Sequence, residues 1–101
     1  MSNIQSPPAA STVKFLRGLK VWNLRAIVSI AKTATRGMMT DTEFKFALRR
    51  EADLWAKSCD SLDRTRGKLL WDLVDEIDED LHRGATLHSI KNVILFFDHN
   101  S

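Results

Sequence analysis

Glu79-x-x-His82 is the pair in this sequence that comes nearest to a reactive unit. A Glu and a His three residues apart share one face of a helix, the spacing that supplies half of a di-metal carboxylate site in a helix bundle. That chemistry needs a second such pair and two further inward-facing carboxylates, and neither accompanies this one. Glu79 also projects to the polar side of its helix, so the pair reads as solvated acidic surface. His88 and His99 have no cysteine or histidine at zinc-ligand spacing. Cys59 has no histidine or lysine beside it in sequence to activate the thiol, and reads as a small core residue at a helix end. Arg66-Gly67-Lys68 lacks the upstream glycine and the following Ser or Thr of a phosphate loop. No catalytic residue, metal ligand or cofactor site is expected, and the reading is non-enzymatic.

The elements that would position any site are helical. Leu62–His82 carries the clearest periodicity. With Leu62 at 0° and about 100° per residue, Leu62, Leu69, Leu70, Leu73, Val74, Ile77 and Leu81 fall on one arc of roughly 140°. Asp72, Asp75, Asp78 and Glu79 fall opposite, and Trp71 points among them. Upstream, Thr40-Asp41-Thr42-Glu43 is a capping box, with Met39 and Phe44 as its hydrophobic staple. Its helix is predicted to run to about Ser58 with Phe44, Leu48, Ala52, Trp55 and Cys59 on one face. Glu51 lies inside that apolar arc, and Phe46 lies outside it. Ser58-Cys59-Asp60-Ser61 marks a turn with Asp60 or Ser61 as the next N-cap, although a helix continuous through it keeps the same register. Gly84 ends the Leu62 helix, and Thr86 caps a last helix, Leu87–Phe97. Residues 92–97 would suit a strand by composition, but no other stretch offers a partner strand.

A first helix is predicted from Ser11 or Thr12 to about Arg36, stopped by Gly37, with a break possible near Val21–Asn23. Apolar residues cover most of its circumference, including Trp22, Leu24 and Val28. Such a helix is buried on several sides, either by its own chain or by a second subunit. Residues 1–10, with Pro7-Pro8, read as a disordered arm, and residues 11–101 as one helical domain. The expected fold is an all-α bundle of about four helices that dimerises.

The 101 residues suffice for a core without staples, since a chain of this size buries roughly 65% of its extended surface. A net charge of +2 is too small to imply nucleic acid, but the charge is unevenly placed. Residues 1–40 hold six basic residues and no acidic one, whereas residues 68–101 hold seven acidic and three basic. The carboxylates Asp72, Asp75, Glu76, Asp78, Glu79 and Asp80 gather toward the C-terminal end of their helix, which the macrodipole disfavours. Basic groups of the first helix, from the same chain or a second copy, would relieve that cost. One cysteine, no secretory leader pattern in MSNIQSPPAAST and no apolar run of about 18 residues lead to a cytoplasmic expectation with no membrane span.

Phe46 and Trp71 are aromatics on otherwise polar faces, Trp71 with Arg64, Lys68 and Asp75 around it. An aromatic anchor in a polar rim is the composition of an interface centre. Phe46, Trp71, Trp22, Leu24, Val28, Arg64, Lys68 and Asp75 are therefore the candidate protein-interface residues. A basic first helix also allows a small DNA-binding accessory protein, although it carries no recognisable reading motif and the acidic face would repel phosphate.

The layout resembles the QslA family, small helical anti-activators of pseudomonad quorum sensing. The resemblance rests on the Pro-containing arm through Ala10, the hydrophobic stretch Lys20-Val21-Trp22-Asn23-Leu24 and the acidic helix around Leu70-Trp71-Asp72-Leu73. It implies a helical homodimer that binds the ligand-binding domain of a LuxR-type activator and blocks that activator's dimerisation and DNA binding.

Overall fold

The computed structural model describes residues 9–100. Five helices occupy them: α1 (Ala10–Arg17), α2 (Val21–Ala34), α3 (Asp41–Ala56), α4 (Ser61–His82) and α5 (Leu87–His99). No strand occurs among the described residues, so 92–97 are helical. The arm expected over residues 1–10 lies outside the described residues up to position 8. Ala9 is fully buried, and Ala10 opens α1.

The frame is the antiparallel hairpin of α3 and α4. Three pairings fix its direction: the Lys45 ammonium to the Asp78 carboxylate, the Trp71 indole N–H to Asp53 Oδ1 at 3.2 Å, and the Ser58 hydroxyl to Asp63 Oδ2 at 3.1 Å. The capping box forms as expected. The Glu43 amide donates to Thr40 Oγ1 at 3.1 Å, and the Thr40 amide donates back to Glu43 Oε1 at 2.8 Å. The turn is real and the two helices are separate, because Lys57 ends α3 and Asp60 Oδ1 accepts from the Leu62 amide at 2.9 Å. Arg64 holds this turn closed, donating from Nη1 to the carbonyls of Ser58 and Cys59 at 3.0 and 2.9 Å. Cys59 consequently falls in the turn and is exposed, contrary to its expected place in the core. The helical phase that would have buried it stops at Ala56.

The hairpin closes on small residues. A Cβ added at buried Gly67 would lie 2.6 Å from the Ala56 nitrogen and 2.9 Å from the Ala52 carbonyl oxygen. No side chain fits there, so α3 and α4 touch backbone to backbone over Ala52, Ala56 and Gly67. Gly84 serves differently: at φ 102° it turns the chain out of α4 in a conformation that L side chains rarely adopt.

The single first helix divides in two. α1 stops at Gly18, whose amide bonds back to Lys14 and Phe15, and Lys20 at ψ 149° resets the chain before α2. Gly18 makes the break inexpensive, since glycine inside a helix costs about 1 kcal/mol relative to alanine. The division also accounts for the apolar circumference. α1 turns Thr12 and Leu16 onto the core, and α2 turns Ile27, Val28 and Ala31, each in its own phase. α1 packs along α4, and α2 packs antiparallel to α5 with Lys32 Nζ 3.0 Å from Asp98 Oδ2. The core is Leu16, Ile27, Phe44, Leu48, Leu70, Leu73, Val74, Ile77 and Ile90, all fully buried, with Leu69 and Leu81 half-buried against it. Leu62, the first residue of the predicted arc, is exposed at the hairpin tip, beyond the reach of the other helices.

One carboxylate leaves the acidic face altogether. Asp80 is buried and receives the amides of Ser11 at 2.9 Å and Thr12 at 2.7 Å, together with the Thr12 hydroxyl at 2.7 Å. Ser11 and Thr12 thus lie inside the first turn rather than capping it. The cap residue is Ala9, in the left-handed region at φ 50°, and its side chain caps nothing. The anion at the positive end of α1 comes from 68 residues away.

Two measurements check these contacts. Gly67→Ala should lower stability by about 1–3 kcal/mol through overpacking, despite alanine's better helix propensity, and urea unfolding reads it. Asp80→Asn places an N–H donor against amide donors, at a cost of about 1–3 kcal/mol. Hydrogen exchange should then quicken in α1 while α3 and α4 keep their relative protection.

Candidate interaction surface

The residues expected at an interface do not form one patch. Phe46 does stand out from the surface at 64% exposure, on the side of α3 turned away from α4. It borders an open groove of about 440 Å³ between the end of α2 and α3. Ala34, Met39 and Ala47 supply the other apolar wall, while Thr42, Glu43, Arg50 and Glu51 form the rim. Glu51 lay inside the predicted apolar arc of α3, and here it edges a groove that the chain leaves open. The site is built by the capping box: Thr40 and Glu43 fix where α3 begins, and Met39 and Phe46 follow from that start.

Trp22 is 58% exposed at the first turn of α2, with the Lys20 ammonium 5.7 Å from its ring centroid, within cation–π range. Leu24 is half-buried against the core and contributes only an edge. Val28 is 1% exposed, so its face is filled by this chain's own helices and offers nothing to a partner. The choice between core and subunit interface for this segment is thereby divided by residue: Ile27, Val28 and Ala31 are core, and Val21 and Trp22 are surface.

Trp71 is not the bare anchor its sequence neighbours suggested. It is half-buried, packs on the core and spends its indole N–H on Asp53. Arg64 is committed to the turn carbonyls, whereas Lys68 and Asp75 are exposed. Trp71 therefore closes one side of the α3–α4 hairpin, and of the polar rim around it Arg64 braces the hairpin's own turn.

The acidic run of α4 separates into distinct surroundings. Asp78, on the side toward α3, is exposed and takes a hydrogen bond and charge attraction from Lys45, with a further contribution from Arg49. Together these hold its carboxyl below the ordinary 3.8, outweighing the opposing effect of desolvation. A lowered carboxylate favours the fold above its unfolded pKa, and that contribution is lost as pH falls through the folded one. Glu79 pairs with Arg83 one turn on, at 2.9 Å. His82 is exposed beside them, and no group of three His, Cys, Asp or Glu is placed to hold a metal ion among the described residues.

Sequence periodicity missed Asp80 and Gly67 as structural residues. Asp80 lies 18 residues from Leu62, about five helical turns, so it shares the apolar arc rather than the acidic face. Its place in the arc was a usable signal, and the acidic residues beside it in sequence masked it.

The two aromatics should now behave differently. Trp71→Ala should cost about 2 kcal/mol or more in urea unfolding, below the ~3–5 kcal/mol of a fully buried aromatic. Phe46→Ala, at an exposed position, should stay within about 0.5 kcal/mol of the parent chain.

No protein-family model, no curated protein and no solved structure matches this chain, so its own surface chemistry must carry the functional reading.

Proposed function

We propose that this chain is a non-enzymatic regulator that binds another protein and inhibits it, acting as a homodimer in the cytoplasm. The observation that supports the reading best is Phe46, a large apolar side chain held out of the core at the lip of an apolar groove. A capping box sets the start of α3 and so fixes where the chain presents Phe46, and an aromatic has few rotamers to lose on binding. The partner contributes an apolar ridge, such as the exposed stripe of a helix, that fills the space between Ala34 and Phe46.

The resemblance to the quorum-sensing anti-activators supplies a partner class. In this proposal the bound protein is a LuxR-type transcriptional activator, contacted on its ligand-binding domain, and occlusion of that surface blocks its dimerisation and DNA binding. Mixing purified chain with such a domain and titrating by calorimetry tests the reading. Complex formation that Phe46→Ala weakens by about thirtyfold or more, the scale of an interface hot spot, is the expected result. Equal binding by parent and variant would remove the groove from the proposal, and absence of any complex would remove this partner class.

A further inference from the structure

We infer that the face shared by α1, the α1–α2 corner and the outer side of α4 is a self-complementary surface that binds a second copy of this chain. The inference deepens the homodimer reading and rests on it.

Charges without an ion-pair partner point to the surface. Lys14, Arg17, Lys20 and Arg25 are all exposed on α1, the corner and α2. The ion pairs among the described residues are Lys32–Asp98, Lys45–Asp78, Arg66–Asp63 and Arg83–Glu79, and none of these four cations takes part. The same holds for Asp72, Asp75 and Glu76 on α4. The acidic residues at the disfavoured end of α4 therefore meet little of the basic charge from the start of their own chain. What α1 gives α4 is its backbone amides, and these are taken by Asp80.

Lys14 shares one groove with Glu76, Lys20 follows Leu19 at the end of that groove, and Arg17 lies on the side of α1 toward α5. An open groove of about 720 Å³ runs between α1 and α4, with Lys14, Phe15, Gly18 and Leu19 on one wall and Glu76 and Arg83 on the other. Asp72, Asp75 and Glu79 continue the outward arc of Glu76 by helical spacing. At the end of α1 the corner adds Val21 and Trp22, which are 57% and 58% exposed. Phe15 and Leu19 are half-buried and supply apolar area inside the groove.

A two-fold interface presents one patch to itself, so a patch carrying both signs next to each other satisfies both at once. The cationic corner of one copy then lies over the acidic arc of the other, with Trp22 and Phe15 desolvated between them. A polyanion such as DNA or an anionic membrane would meet the corner but would be repelled by the carboxylates beside it. A standard interface takes roughly 800 Å² from each partner. That is about an eighth of the 6302 Å² surface of this chain.

The test is a charge exchange read by sedimentation and light scattering on the full chain. The parent is expected at twice the 11.5 kDa chain mass, with dissociation promoted by salt. Lys14→Glu with Lys20→Glu, and separately Asp75→Lys with Glu76→Lys, should each weaken the dimer by about tenfold or more while the circular dichroism stays helical. Combining all four substitutions should restore it, which a merely misfolded variant would not do. A dimer unmoved by both pairs would overturn this placement and leave the homodimer reading standing. A parent at single-chain mass throughout would overturn both. Retention of a single-chain parent on duplex DNA or on phosphatidylserine vesicles, lost in the Lys14/Lys20 variant, would overturn the inference and assign the corner to a polyanion.

Discussion

A buried carboxylate at the head of a helix holds this molecule in its arrangement. Asp80 leaves the surface of α4 to receive two amides and a hydroxyl from α1. A buried anion is tolerable only when hydrogen bonds replace its water, and the first turn of a helix offers amides that need an acceptor. The same contact meets both needs and sets α1 antiparallel along α4. That orientation in turn sends the chain through Gly18 into α2, places the cationic corner at the far end of α1 and opens the groove beside Glu76. The contact joins the start of the described chain to a residue 68 positions on, so α1 is ordered by a polar interaction and not by apolar burial alone.

The hairpin beneath is governed by a different constraint, close approach. Gly67 gives up helix propensity so that α4 can touch the backbone of Ala52 and Ala56. With the backbones this near, polar groups along both edges come within bonding distance, and Trp71–Asp53 and Lys45–Asp78 use that proximity. The two helices then stay neighbours from the Ser58–Asp63 turn to the Lys45–Asp78 pair. The far side of α3 remains uncovered, and Phe46 stands on it.

Most helices were legible because their signals are local. The Thr40 capping box, the Asp60 cap and the positive-φ Gly84 each act within a turn of the backbone they control. Features that depend on two segments were not legible. The first helix, read as one with room for a break near Val21–Asn23, divides a few residues earlier, because Gly18 and Lys20 let each half bury its own face, a choice settled by where α4 and α5 lie. Cys59 was expected inside because its spacing continued a helix that ends before it. Trp71 sat among charges in sequence, yet its indole reaches Asp53 on the neighbouring helix. The exposed Phe46 is the candidate interface residue whose reading needed least change, since nothing on α2, α4 or α5 covers it.

Two surfaces carry the two proposed tasks, α1 with α4 for a second copy and the α2–α3 groove for a regulated protein. Following amide and indole resonances through a dilution series of isotope-labelled chain tests that separation most directly. The account predicts that Lys14, Phe15, Leu19, the Trp22 indole and the amides from Asp72 to Glu79 shift as the dimer dissociates, while Met39, Phe46 and Ala47 stay in place. Movement of the Phe46 set with a silent α1–α4 face would contradict it.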